Sequence, residues 1–177
     1  MTNFLMGNYS PLSVEFKEGV GPWLIDNEGD RYLDALSGIA VCGLGHSHPS
    51  LSKVIAEQSA KLIHTSNVYR ISFQEKLAEK LTALSGMDNA FFCNSGAEAN
   101  EAAIKLARLH AHNQKIHEPI IVVMQNSFHG RTMATISASG ERVQDGFKPL
   151  LGGFKHMPYN NVEALEDYVK VSKNIVA

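Results

Sequence analysis

Apolar positions along this 177-residue chain fall into blocks whose spacing changes from segment to segment. Trp23-Leu24-Ile25 and Arg31-Tyr32-Leu33 flank Asp26-Asn27-Glu28-Gly29-Asp30, a pattern that predicts two short strands joined by a turn. Ser37–Pro49 holds Gly38, Gly43, Gly45 and the His46-Ser47-His48-Pro49 punctuation, which suits an ordered loop. Leu51, Val54, Ile55 and Leu62 share one helical stripe between Ser50 and His64. Ser72 and Glu75 form a capping box ahead of Phe73, Leu77, Leu81 and Leu84, with Gly86 as the stop.

Beyond Gly86, Ala90–Cys93 and Ile120–Met124 are unbroken apolar runs, which predict buried strands, and Ala97–Ala111 between them predicts a helix. Thr132–Gly140 reads as helical or mixed, Phe154–Pro158 as a strand, and Val162–Val176 as a helix capped by Asn160 or Asn161. Strand, helix, strand in this order points to the α/β class with a parallel sheet. A chain that ends on a helix leaves that sheet unfinished. Parallel strands need cover on both faces, so a large exposed apolar surface is expected.

Composition narrows the function. With 44% apolar and 19% charged residues the chain is globular, and a net charge of −2 offers no basic surface for nucleic acid or an anionic membrane. The opening MTNFLMGNYSPLSVE has no basic segment followed by an apolar core, and no apolar run approaches the ~20 residues of a membrane span. A cytoplasmic protein is expected. Cys42 and Cys93 lie far apart in apolar surroundings, which reads as two reduced, buried thiols rather than a disulfide or zinc pair. His46 and His48 have no Asp, Glu or Cys in ligand spacing, so no metal site is expected.

The most informative stretch is Asn94-Ser95-Gly96-Ala97-Glu98-Ala99-Asn100-Glu101. A small-residue turn between a strand and a helix presents free N–H groups at the positive end of the helix dipole, a setting for a phosphate dianion. The same residues also fit a plain helix start, with Ser95 as cap and Glu98 and Glu101 favoured by the dipole. Ser127-Phe128-His129-Gly130-Arg131-Thr132 follows the strand Ile120–Met124 and so stands at a carboxyl end of the sheet, where ligands of open α/β folds collect. No G-x-x-x-x-G-K-[ST] or strand-following G-x-G-x-x-G occurs.

FFCNSGAEANEAAIKLAR resembles the phosphate-binding segment of the class III pyridoxal-phosphate (PLP) aminotransferases, the acetylornithine branch in particular. PWLIDNEGDRYLDALSGIAV, GLGHSHP, KLIHTSNVY and SFHGRT follow that family's order and spacing, so the resemblance covers essentially the whole chain. It implies a fold type I PLP-transferase: an incomplete, parallel-containing sheet of the large domain plus the N-terminal segment of the small domain. Residues 1–50 would be the N-terminal segment with hairpin and glycine-rich loop, and 51–177 the first part of the PLP-binding domain. Cys42 and Arg70 depart from the branch's pattern, Asn being common at the first position and an apolar or aromatic residue at the second.

The resemblance implies roles for single residues. Ser95, Gly96 and Ala97 would hold the cofactor phosphate, Phe128 would lie against the pyridine ring, and Arg131 would grip the substrate α-carboxylate. An aromatic face suits a flat conjugated ring, and a guanidinium binds a carboxylate bidentately. Taken singly, Phe128 would read as a core aromatic and Arg131 as a solvated cation. His129 would stack near the cofactor or pack structurally, and Asn67 and Tyr69 fall in a segment near the family's active site. None of the eleven lysines stands in the setting of the Schiff-base lysine, and Lys105 reads as a solvated-face residue paired with Glu101. The implied reaction is reversible amino transfer between N-acetylornithine and 2-oxoglutarate in arginine biosynthesis, in a homodimeric full-length form. Ornithine, succinylornithine and 4-aminobutyrate transaminases are the near alternatives. A catalytically dead chain that acts only by association is the alternative of a different class.

Overall fold

The structure is a computed structural model that describes residues 4–177, and the chain divides into two compact units, Met1–Ile71 and Ser72–Ala177. In the first, β1 (Phe16–Val20), β2 (Trp23–Asp26) and β3 (Arg31–Leu33) form an antiparallel sheet in the order β1-β2-β3. The predicted hairpin is β2–β3, and β1, unforeseen in the sequence, pairs along the other edge of β2. Asp26 sets the turn: its carboxylate accepts from the Asp30 N–H at 2.8 Å and from the Tyr32 hydroxyl at 2.9 Å.

The expected loop after β3 contains one turn, α1 (Ser37–Ala40), whose four residues all have left-handed φ of 50–63°. The loop is anchored at two points. Gly21 and His46 exchange backbone hydrogen bonds at 3.0 and 2.8 Å, and the His46 Nε2 lies 2.7 Å from Asp34 Oδ2. Gly19 must stay bare there, because an added Cβ would sit 2.6 Å from the His46 ring. Helix α2 (Pro49–Ser59) follows, shorter than the predicted Ser50–His64.

The hydrogen bond from His46, and then that from the Ser37 N–H, hold the Asp34 carboxyl below the usual carboxylate range. A depressed carboxylate contributes stability above the unfolded value near 3.9 and loses it as pH falls through the lower folded value. The stability gap between wild type and Asp34→Asn should therefore be full at pH 5 and above, and should shrink below about pH 4. Thermal unfolding across that range reads it directly; a gap independent of pH would contradict the pairing.

In the second unit, α3 (Ser72–Ser85) begins at the predicted serine and stops at Gly86, whose φ of 72° and N–H bond to Thr82 form the C-cap. Helix α4 (Gly96–Asn113) leads to β4 (Ile121–Met124), then α5 (Met133–Ala138), β5 (Phe154–Met157) and α6 (Val162–Val171). Strands β4 and β5 pair in parallel, Ile121 facing Phe154 and Met124 facing Met157. Ile121 and Val123, two apart, present one face of β4 to Ile104 of α4 and Ala138 of α5, and these four form one buried cluster of the core.

Four expectations are corrected here, the burial of both cysteines among them. Ala90–Cys93 is not a buried strand: it has no ladder partner among the described residues, Phe91 is 70% exposed and Cys93 is exposed, while Cys42 is half-buried. An apolar run becomes a strand only where a neighbour takes its N–H and C=O groups. The last helix ends at Val171 rather than Val176, with Asn161 as its cap. The chain does not end on a helix either. Asn174 to Ala177 return to the free edge of β4, through bonds Ile120 N–H to Asn174 O, Val176 N–H to Ile120 O and Val122 N–H to Ala177 O.

The expected apolar exposure is present. The accessible surface is 14576 Å², against about 8,500 Å² for a folded protein of 19.4 kDa. Leu81 and Leu84 of α3 and Leu106 and Leu109 of α4 are among the exposed side chains. Among the described residues, no helix is long and apolar enough to cross a membrane, and no cluster of three His, Cys, Asp or Glu could hold a metal.

Candidate active site

The start of α4 is built by its own side chains. Ser95, in extended conformation, caps the helix by accepting the Glu98 N–H at 3.2 Å. The Glu98 carboxylate folds back to accept from the Asn94 N–H (2.8 Å), the Asn94 amide (3.1 Å) and the Ser95 hydroxyl (3.0 Å). These bonds, the Asn94 and Ser95 side chains foremost, keep Glu98 below the ordinary glutamate range. The N–H groups of Gly96 and Ala97, in the first turn, have no intrahelical acceptor. The helix start is uncrowded at Gly96, where an added Cβ would meet nothing within 4 Å.

The loop after β4 is laid against the same helix end. Gly130 is buried, and a Cβ on it would stand 2.8 Å from the Ala97 Cβ and 2.6 Å from Thr135 Oγ1. The Asn100 amide donates to the His129 carbonyl at 2.8 Å, and the Thr132 hydroxyl donates to the Glu101 carboxylate. Thr132 also caps α5 in a reciprocal box with Thr135, which is fully buried. The His129 N–H donates to the Ser139 hydroxyl at 2.9 Å, and the Ser139 hydroxyl donates in turn to the Thr135 carbonyl at 2.8 Å. Phe128 and Arg131, between these anchors, are exposed: Phe128 at 63%, with the Arg131 guanidinium 5.9 Å from its ring centroid.

Ser95, Gly96, Ala97, Phe128 and Arg131 thus belong to two segments that touch at Ala97 and Gly130. The His129 ring, half-buried, has Nδ1 3.3 Å from the Ser127 hydroxyl. Asn67 and Tyr69 are exposed residues of a turn in the first unit, closed by the Tyr69 N–H on Ser66 O. Lys105 is exposed on α4, and Glu101, expected as its partner, is engaged by Thr132. The sequence reading did not single out Asn100, Thr132, Thr135 or Ser139. Thr132 and Thr135 stood at the spacing of a reciprocal cap, the one local signal that could have found them. Beside this region, at the carboxyl ends of β4 and β5, lies a polar cavity of about 370 Å³ walled by Gln125, Asn126, Gly140, Glu141, Gln144 and His156.

Comparison with known proteins agrees with this architecture. The model of the aminotransferase class-III family matches residues 5–176. An acetylornithine aminotransferase of Nitrosomonas europaea is 60% identical over 98% of this chain, and one of Gloeobacter violaceus is 54% identical over 93%. The chain spans 44% and 42% of those two proteins. Among solved structures, the ornithine aminotransferase of Toxoplasma gondii superposes with a TM-score of 0.93 at 28% identity, over 98% of this chain and 42% of that one. The acetylornithine aminotransferase of Elizabethkingia anophelis gives 0.78 at 34% identity, over 97% and 40%. Sequence motifs, parallel sheet and family match coincide over nearly the whole chain, which therefore belongs to the class III aminotransferases.

Proposed function

We propose that this chain carries the phosphate, ring and carboxylate contacts of a PLP-dependent aminotransferase that moves an amino group between N-acetylornithine and 2-oxoglutarate. The observation that carries the reading is the contact of Gly130 with Ala97, which sets an anion-receptive helix start beside an exposed aromatic and an arginine. Support for the substrate comes from the relatives, which are acetylornithine aminotransferases at 48–60% identity. One solved ornithine aminotransferase of Toxoplasma gondii is described with partial occupancy of PLP at its active site.

The residues present fit the cofactor. The Gly96 and Ala97 amides form a donor set at the positive end of an 18-residue helix, and the Ser95 hydroxyl, which donates to Glu98 in this structure, would turn its proton to the phosphate on binding. The Glu98 carboxylate is turned onto Asn94 and Ser95. When bound, PLP supplies the conjugated ring that accepts electrons from the substrate α-carbon. In this reading Phe128 covers one face of the ring and excludes water from it. Arg131 fixes the α-carboxylate of the amino donor, and then of the oxo acid, so that both substrates present the same bond to the ring. These groups bind and orient; no proton-moving lysine is assigned among them. A homodimer is part of the same proposal, supported by the exposed leucines of α3 and α4.

The test uses the full-length protein. It should retain PLP through dialysis and form glutamate from 2-oxoglutarate with N-acetylornithine as donor. Gly96→Val, which adds branched carbon at the first position of α4 beside the donor amides, should weaken PLP retention about tenfold or more. Absence of PLP retention, or glutamate formation only with ornithine or 4-aminobutyrate, would refute the cofactor or the substrate part respectively. No amino transfer with any of these donors would favour the association-only alternative.

A further inference from the structure

Asn100 and Glu101 have no assigned part in binding, yet their side chains reach across 29 and 31 residues to the loop that carries Phe128 and Arg131. We propose that Asn100 and Glu101 are positioning residues, which clamp that loop to α4 and so hold the ring-facing and carboxylate-binding side chains in register with the phosphate turn. The proposal rests on the cofactor reading above and deepens it.

The geometry is periodic. Ala97, Asn100, Glu101 and Ile104 lie on one face of α4, three and four residues apart. Ile104 is buried in the core against β4, so this face is fixed to the sheet. One turn nearer the helix start, Asn100 and Glu101 take hold of His129 O and the Thr132 hydroxyl, and Ala97 packs on Gly130. Positions 129, 130 and 132 are therefore all tied to α4. The two residues assigned to ligands, 128 and 131, alternate with them and are exposed on the clamped backbone. A displacement of this backbone by about 1 Å would misplace both groups relative to a phosphate held at Ser95–Ala97, an error of the size that costs rate when reacting groups must be aligned.

The two clamps differ in chemistry. Asn100 is needed as a donor, because its partner is a carbonyl; Glu101 is needed as an acceptor, because its partner is a hydroxyl. Glu101→Gln keeps an acceptor oxygen and should behave nearly as wild type, within about threefold. Glu101→Ala and Asn100→Ala remove the contacts. Asn100→Asp keeps the volume but turns a carboxylate onto a carbonyl, and should be worse than alanine.

The experiment measures, on the full-length protein, the KM for the amino donor, the PLP dissociation constant, and the inhibition constant of inorganic phosphate competing with PLP. In Asn100→Ala and Glu101→Ala, KM should rise and PLP affinity fall about tenfold each, while inorganic phosphate, which needs only Ser95–Ala97, competes as in wild type. Glu101→Gln should restore the values. Wild-type KM and PLP affinity in both alanine variants would overturn the proposal. So would an equal loss of phosphate and PLP binding, which would indicate a disturbed helix start. If inorganic phosphate does not compete with PLP even in wild type, the phosphate-turn reading itself fails, and this proposal with it.

Discussion

Gly130→Ala should lower the stability of the second unit by about 3 kcal/mol and weaken PLP binding at the same time. Two costs combine. Gly130 has a φ of 135°, a region that L side chains rarely enter and that carries a penalty of order 1–3 kcal/mol. The new methyl would also stand 2.6 Å from Thr135 Oγ1 and 2.8 Å from the Ala97 Cβ. Overpacking of this kind costs typically ~1–3 kcal/mol, and neither neighbour yields easily, Thr135 being fully buried within a capping box and Ala97 fixed in the first turn of α4. Relief of the strain requires the loop to lift from the helix, which moves Phe128 and Arg131 away from the phosphate turn. Denaturant unfolding and PLP titration measure the two effects. Ala97→Gly in the same chain removes one of the two clashes and should recover part of both losses, a coupling that a double-mutant cycle isolates. Wild-type stability together with wild-type PLP affinity in Gly130→Ala would show that helix and loop do not pack at this point.

Arg131→Lys should raise the KM for the amino donor about thirtyfold, equivalent to ~2 kcal/mol, and change PLP affinity by less than about threefold. The guanidinium offers two parallel N–H groups to a carboxylate, whereas the ammonium binds as a point charge on a flexible stem. The charge is unchanged, so the loss reports geometry rather than net electrostatics. The guanidinium also lies near the Phe128 ring, 5.9 Å from its centroid, a distance at which the attraction of a cation to the ring face is weak but present. Steady-state kinetics with the amino donor and with 2-oxoglutarate separate the outcomes, because both substrates carry the α-carboxylate and both KM values should rise. A rise confined to one substrate, or a loss of PLP affinity equal to the loss for substrate, would remove Arg131 from the carboxylate role.

The sequence by itself determined the elements whose physics is local. The β2–β3 hairpin follows from strand-forming residues around an Asn/Gly turn, α3 stops where Gly86 can take a left-handed φ, and α4 starts where Ser95 can cap it. Its family motifs also pointed to both segments of the candidate site. Tertiary structure decided the rest. Ala90–Cys93 is as apolar as Ile121–Met124, but only the second has neighbours to complete its backbone hydrogen bonds, and periodicity cannot see a neighbour. Asn174–Ala177 continued the apolar pattern of α6 and became part of the parallel sheet, because the free edge of β4 accepts it. Asn100 and Glu101 look like ordinary surface residues of a helix. Their partners stand about thirty positions away, and folding alone brings the second motif onto the first.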